Sequence, residues 1–144
     1  MKDFDYIIYT DGSGKSSMFG GKLTAIITKD GKTPLEVMYR ECTKELTCNE
    51  AEYLSVVLAL EEQSTHTKIL IRSDSQLVVN QMHREKPWKI NFDHLRELNS
   101  SVRNIISNLE LDVEFEFIPR DHNLAGLFLE GKLKVPQDII TLEH

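Results

Sequence analysis

The sequence predicts an α/β fold in which helices pack against one mixed β-sheet. Apolar runs typical of buried strands are interspersed with segments of helical apolar spacing, in the order β-β-β-α-β-α-α-β-α. A length of 144 residues suits a single domain. Hydrophobic residues at 40% and charged residues at 28% are typical of a globular chain with a core, which excludes the disordered and fibrous classes.

The first three predicted strands form an antiparallel meander. Residues 6–10 are β-branched and aromatic without alternation, which is typical of a strand buried on both faces. The Asp-Gly-Ser-Gly sequence at 11–14 predicts a turn. Residues 23–28 predict the second strand, residues 29–32 a hairpin turn and residues 35–42 the third strand.

The next elements are predicted from caps and apolar runs. Thr47 is a predicted N-cap, Glu50 completes a capping box, and the helix that follows ends near Gln63. Residues 69–71 form a short apolar run that predicts a buried strand. The helix after this strand is predicted to end at Pro87, because proline cannot continue a helix.

The last third of the chain predicts helix, strand and helix. Apolar spacing predicts an amphipathic helix over 95–109, alternation predicts a strand over 113–118, and a final helix follows over 123–133. No repeat or linker divides the chain, so residues 1–141 are predicted to be one domain. Residues 142–144 (Leu-Glu-His) look like an expression-tag remnant.

Charge and hydropathy limit the kinds of partner that we expect the chain to bind. Seventeen Lys and Arg against 23 Asp and Glu give a net charge of −6, which argues against nucleic-acid binding through surface charge alone. No apolar stretch is long enough for a membrane span or a secretory signal, so we expect a cytoplasmic protein without a membrane partner. Cys42 and Cys48 fit no metal-binding spacing and are predicted to be free thiols.

Three acids fall where α/β sheets gather their ligands, near the carboxyl ends of strands. Asp11 closes the first predicted strand, Asp74 closes the fourth, and Glu52 lies early in the helix between them. Taken singly, each is explained as a turn residue or a partner of the helix dipole. Carboxylates clustered without basic partners repel one another, and oxygen-preferring cations relieve this, so Mg²⁺ or Mn²⁺ is predicted.

The local sequences around these acids occur in a specific order. They read Thr-Asp-Gly-Ser at 10–13, Asn-Glu-Ala-Glu-Tyr at 49–53 and Ser-Asp-Ser-Gln-Leu-Val at 73–78. With these motifs the chain resembles type I ribonuclease H over residues 4–133. The resemblance implies a ribonuclease H-like fold with a five-stranded mixed sheet, and hydrolysis of the RNA strand of RNA–DNA hybrids by a two-metal mechanism.

The resemblance also implies roles for the acids. Asp11 would bridge two metal ions, and Glu52 and Asp74 would hold the ion on the leaving-group side. Two cations about 3.5–4 Å apart stabilise the attacking and leaving oxygens at phosphorus, with a metal-acidified water as the nucleophile.

Substrate contacts follow from the same resemblance. Gly12 and Ser13 would approach the backbone of the RNA strand, while Asn49 and Gln76 would contact RNA in the minor groove, where an amide can bond a 2′-hydroxyl. A lysine-rich insertion that some relatives use to grip DNA is absent. Trp88 is interpreted either as a small DNA-strand contact or as a core anchor.

The chain departs from the family at its fourth acid, an Asp that ends a pattern like Asn-X-X-Ala-Asp at the start of the last helix. Its place falls on Gly126 when the chain is aligned on the Ala, and on Leu127 when it is counted from Asn123. Three interpretations compete: Glu130 reaches back from one helical turn later, three acids suffice, or the chain binds hybrids without cutting them. We favour an active, Mn²⁺-favouring monomer without an obligatory protein partner. His122 is interpreted either as a solvated loop residue or as an aid to proton transfer.

Two other functions compete with this one. A catalytically weakened or inactive module that binds nucleic acid or a protein partner would explain the glycine at 126. A proofreading-type 3′–5′ exonuclease ranks last, because it needs Asp-X-Glu on the first strand where this chain has Asp-Gly-Ser at 11–13.

Overall fold

Six strands form one mixed sheet in the computed structural model, which describes residues 3–14 and 20–143. The strands are β1 (Tyr6–Ser13), β2 (Lys22–Thr28), β3 (Glu36–Glu41), β4 (Lys68–Ser73), β5 (Asp112–Phe117) and β6 (Ile140–Leu142). Their spatial order is β5-β4-β1-β2-β3-β6. β1, β2 and β3 are antiparallel neighbours, β4 and β5 continue parallel to β1, and β6 runs parallel to β3. β1 therefore lies near the centre of the sheet.

Helices cover both faces of this sheet. They are α1 (Cys48–Leu60), α2 (Gln76–Gln81), α3 (Asp93–Asn108) and α4 (Leu124–Leu129). α1 packs across β1 and β2, and α3 packs on α1. α4 and the apolar residues after it cover the other face. Ile8 belongs to the apolar core on the α1 side of the sheet, and Tyr9 belongs to the core on the α4 side. Both faces of β1 are therefore buried, which explains why the strand is apolar without alternation.

The α/β class and the order of the nine predicted elements are confirmed, but the five-strand count is wrong. The sixth strand, β6, is only three residues long, too short to give a periodic signal in the sequence. It pairs with β3, where Thr141 lies opposite Met38. Leu142 belongs to this strand and the Glu143 N–H donates to the Tyr39 carbonyl at 2.7 Å. His144 lies outside the described residues, and the origin of 142–144 stays a prediction.

The turn predicted at residues 11–14 is wrong for its first three positions, because β1 continues through Ser13. Gly12 pairs with Leu23 in the antiparallel ladder. A Cβ on Gly12 would lie 2.1 Å from the Ala51 carbonyl oxygen of α1. Glycine at 12 thus reflects the close approach of strand and helix rather than a turn.

Two predicted helix ends are also wrong. α2 ends at Gln81, well before Pro87, because the His83 ring nitrogen Nδ1 accepts the backbone N–H groups of Glu85 and Lys86 and forms a turn there. α4 ends at Leu129 rather than near 133. Gly131 takes a positive φ of 73°, and the Lys132 N–H donates to the Leu127 carbonyl, which together terminate the helix.

In the described part of the chain, no helix is both long enough and apolar enough to cross a membrane.

Candidate active site

The three predicted acids come together on three different elements. Asp11 lies on β1, Glu52 is the fifth residue of α1, and Asp74 directly follows β4. One carboxylate oxygen from each lies within 4.8 Å of the others. Asp11 and Glu52 are buried, at 8% and 9% exposure, whereas Asp74 is partly exposed. We call these three residues the acid cluster.

Local sequence fixes the approach of α1 to the acid cluster. The predicted capping box is confirmed, since the Thr47 hydroxyl accepts the Glu50 N–H and the Glu50 carboxylate accepts the Thr47 N–H. Gly12 lets β1 pass against α1, and its N–H donates to Glu52 Oε1 at 3.2 Å. A side chain at 12 would push α1, and Glu52 with it, away from β1.

The turn that carries Asp74 is held by the serines on either side of it. The Ser73 hydroxyl accepts the Ser75 N–H at 3.0 Å, and the Ser75 side chain caps α2 by accepting the Val78 N–H. Ser73 is almost fully buried, so its hydroxyl gives the turn a fixed anchor. Asp74 is thereby placed beside the end of β1.

Burial and like charge raise the pKa of two of the acids. Burial, reinforced by the charge of Asp74, raises the pKa of Asp11, and a hydrogen bond with Glu52 and then the Arg120 guanidinium oppose this rise. Burial first, then the charge of Asp11 and a hydrogen bond with it, raise the pKa of Glu52 to about 9. The metal-free acid cluster therefore retains a proton at neutral pH, because its carboxylates cannot all ionise together.

The donor set suits a hard divalent cation. All three groups offer carboxylate oxygens, which Mg²⁺ and Mn²⁺ prefer. Glu52 Oε2 is buried and has no hydrogen-bond partner among the described residues, although buried polar atoms are normally satisfied. A cation at the acid cluster would satisfy this oxygen and offset the repulsion, so these residues fit the predicted metal.

Two residues of the site were not singled out from the sequence. Asn123 is fully buried, and its side chain donates to Asp74 Oδ2 at 3.2 Å and to the Thr10 carbonyl at 3.0 Å. Arg120 lies close enough to Asp11 to affect its ionisation. Asn123 opens the family pattern in which the missing acid was sought, and that position is the signal that could have identified it.

Gly126, one of the two candidate positions for a fourth acid, lies beside the acid cluster. A Cβ on Gly126 would lie 3.4 Å from Asp11 Oδ2. Glu130, the predicted substitute, caps the end of α4 and forms ion pairs with Lys132 at 2.9 Å and Arg120 at 3.4 Å. These cations, Lys132 first, lower the pKa of Glu130. Glu130 is not a member of the acid cluster, and its role as a ligand stays a prediction.

The remaining predicted site residues lie at or near the ends of strands and helices. Ser13 is partly buried at the end of β1, Asn49 is exposed in the first turn of α1, and Gln76 is exposed at the start of α2. His122 is exposed in the short 3₁₀ turn that precedes α4.

Trp88 lies on a separate groove, with 53% of its surface exposed, so it is not a buried core anchor. The groove has a volume of about 540 Å³. Its lining includes Trp88, Lys89, Arg96 and Arg103, and we call it the basic groove.

The fold and the acid cluster together define a class of mixed α/β domains that gather carboxylates from a central strand and its neighbouring elements. The chain belongs to the RNase H family, since the sequence model of that family (RNase H) matches residues 3–126. No curated protein sequence matches it significantly.

Solved structures agree with this assignment. LC11-RNase H1, solved in complex with an RNA/DNA hybrid, is 28% identical with a TM-score of 0.71, over 83% of this chain and 88% of that one. RNase H1 from the halophilic archaeon Halobacterium salinarum NRC-1 is 23% identical, with a TM-score of 0.70 over 88% and 98%. The N-terminal RNase H domain of rv2228c from Mycobacterium tuberculosis is 24% identical, with a TM-score of 0.70 over 90% and 93%. The last two similarities show the fold.

Proposed function

We propose that this chain is a metal-dependent endonuclease that hydrolyses the RNA strand of RNA–DNA hybrids. The observation that carries the proposal is the acid cluster, in which Asp11, Glu52 and Asp74 converge and a buried Glu52 oxygen lacks a partner. Membership of the RNase H family and the likeness to a relative solved with an RNA/DNA hybrid support this substrate.

The carboxylates of Asp11, Glu52 and Asp74 would hold the Mg²⁺ or Mn²⁺ ions, of which we propose two. Bound divalent ions supply an acidified water and stabilise negative charge at phosphorus. The protein fixes the three carboxylates in advance, so that little reorganisation is needed when the substrate arrives. The Gly12 N–H holds Glu52 in place, and the burial of Asp11 and Glu52 excludes competing water.

Residues around the acid cluster would distinguish RNA from DNA. Asn49 and Gln76 are exposed at the starts of α1 and α2, the helix that carries Glu52 and the one that follows Asp74. Each carries an amide that can both donate to and accept from a sugar 2′-hydroxyl. Gly12 and Ser13 at the end of β1 would meet the backbone of the same strand.

The basic groove would hold the DNA strand. Between residues 83 and 103 the chain has five Lys and Arg against three Asp and Glu, whereas the rest has 12 against 20. The positive charge is thus concentrated beside an exposed tryptophan, a combination that suits phosphates and bases. The net charge of −6 therefore does not argue against nucleic-acid binding at the basic groove.

A strand-specific cleavage assay tests the proposed function. The chain should cut the labelled RNA strand of a hybrid, in Mg²⁺ or Mn²⁺, and leave single-stranded RNA and duplex DNA intact. Asp74→Asn should lower the rate by at least about 100-fold, because the cluster loses one anionic ligand. An absence of metal-dependent cleavage, or equal rates for the wild type and Asp74→Asn, would contradict the proposal.

The basic groove gives a separate prediction for substrate affinity. Trp88→Ala should raise KM for the hybrid by about fivefold or more with little change in kcat, since stacking contributes roughly 1–3 kcal/mol per base. Lys89→Gln should reduce the salt dependence of binding by about one ion. Lys29→Gln, an exposed lysine that does not line the groove, is the matched control. Equal KM values for Trp88→Ala and the wild type would exclude the groove from binding.

Gly126 favours a second candidate, a weakened or inactive module that binds hybrids without cutting them. A Cβ at this position would lie 3.4 Å from Asp11 Oδ2, but glycine has only a hydrogen atom there and supplies no fourth carboxylate. The two candidates differ in one result of the same assay, because the module would bind the hybrid with metal and leave the RNA strand intact.

A further inference from the structure

Asn123 connects three parts of the site through one buried side chain. Its Oδ1 accepts the Ala125 N–H at 3.1 Å and so caps α4. Its Nδ2 donates to the Thr10 carbonyl of β1 at 3.0 Å and to Asp74 Oδ2 at 3.2 Å. The residue is fully buried, and both N–H groups and the oxygen have partners.

Without these contacts, Asp74 is the member of the acid cluster that the protein holds least firmly. Asp11 and Glu52 are buried, and Glu52 is also held by the Gly12 N–H. Asp74 is partly exposed and lies in a turn between β4 and α2. The Asn123 amide restricts the rotation of this carboxylate. Because the same amide also donates to the Thr10 carbonyl, it ties Asp74 to β1, the strand that carries Asp11.

We propose that Asn123 is a positioning residue that holds Asp74 in its metal-binding orientation, an inference that rests on the proposed function. The hydrogen bond to Oδ2 leaves the remaining lone pairs of Asp74 for a cation. Residues that orient metal ligands in this way typically contribute 10- to 100-fold to metal affinity or activity. An amide suits the position because it donates twice and still caps the helix, which neither aspartate nor serine can do.

Two variants separate this role from helix capping. Asn123→Ser keeps an N-cap oxygen and loses both N–H donors. Asn123→Asp keeps the shape and the cap, but it turns an acceptor towards Asp74 and the Thr10 carbonyl. The matched control is Thr28→Val, because Thr28 is also fully buried and bonds two backbone groups, Ile7 and Gly31, at the other end of β1.

The measurement is Mn²⁺ binding to the substrate-free, full-length protein by titration calorimetry, with thermal stability recorded in parallel. We expect Asn123→Ser to weaken Mn²⁺ binding by about tenfold or more, because Asp74 loses its donor and no charge is added. Asn123→Asp should weaken it by a smaller factor, because its negative charge attracts the cation while its oxygen repels Asp74. Thr28→Val should lose stability and keep wild-type Mn²⁺ affinity. In hybrid cleavage, the Asn123 variants should lower kcat and leave KM nearly unchanged.

Unchanged Mn²⁺ affinity in both Asn123 variants, with a loss of stability like that of Thr28→Val, would overturn the proposal and leave Asn123 as a structural cap. The proposed function fails on a different result, which is an intact RNA strand in the wild-type assay. A wild type that binds Mn²⁺ without cleaving would refute the nuclease and still decide the role of Asn123.

Discussion

Asp11→Asn is expected to abolish hybrid cleavage and at the same time to stabilise the metal-free protein. Asp11 is a buried member of the acid cluster, and a neutral amide at 11 would remove one of its three anionic groups. Loss of several kcal/mol of charge stabilisation corresponds to a rate at least about 1000-fold lower. Stability moves the other way, because functional acids held close together strain the fold.

The stabilisation should depend on pH. The raised pKa values of Asp11 and Glu52 mean that the folded, metal-free protein binds protons more tightly than the unfolded chain. The contribution of these two groups to wild-type stability is therefore greatest below about pH 3.8, the ordinary pKa of aspartate, and it is lost as the pH rises towards about 9. Asp11→Asn removes part of this loss, so its advantage is largest near pH 8.

The expected gain follows from the repulsion that is removed. Unit charges about 5 Å apart repel by roughly 3 kcal/mol at an effective dielectric constant of about 20. A retained proton reduces this in the wild type, so we expect a gain of about 1–2 kcal/mol, or roughly 3–6 °C in Tm at pH 8.

Thermal denaturation in EDTA at pH 5 and pH 8, beside the cleavage assay, checks both halves of this prediction. Asp138→Asn, an exposed aspartate near β6, is the matched control and should change neither rate nor Tm. A variant that loses activity and also loses stability at pH 8 would mean that Asp11 holds the fold together rather than the cations.

The acids were predictable from the sequence because their determinants are local. Asp11 and Asp74 follow apolar runs, and Glu52 follows a capping box that fixes the start of α1. Because β4 runs parallel beside β1, the residue that follows β4 lies next to Asp11 within β1, so three separate motifs define one cluster.

The elements that were missed depend on long-range contacts. β6 is stable because β3 offers an edge, and the path of β1 through Gly12 is set by α1 lying against it. Asn123 is only the first residue of the last predicted helix, and the packing of α4 on the sheet brings it to Asp74. Residues far apart in sequence determine these features, which is why local patterns do not show them.

The alignment at the fourth acid was open for the same reason. Gly126 and Leu127 are both candidates by counting, since each satisfies one part of the family pattern. The structure favours Gly126, because a Cβ there would lie 3.4 Å from Asp11 Oδ2 and Gly126 is buried. The position without a side chain thus lies next to the acid cluster.

Adding a carboxylate at position 126 gives the second large effect. Gly126→Asp is expected to raise kcat in Mg²⁺ by about tenfold or more and to lower the stability of the metal-free protein. The new Cβ would lie 3.4 Å from Asp11 Oδ2, at van der Waals contact, so the side chain fits with little displacement. A fourth carboxylate adds an anionic ligand where the site has none, and Mg²⁺, which binds oxygen ligands with strict geometry, gains most.

Gly126→Asn is the matched control, since it adds the same volume without the charge. It should keep wild-type activity, whereas the loss of metal-free stability should appear only in Gly126→Asp, because only that variant adds a fourth negative charge to the cluster. Rates in Mg²⁺ and Mn²⁺, with Tm in EDTA, make the comparison. Equal Mg²⁺ rates for the two variants would show that three acids already complete the site, and that the glycine at 126 costs the protein no activity.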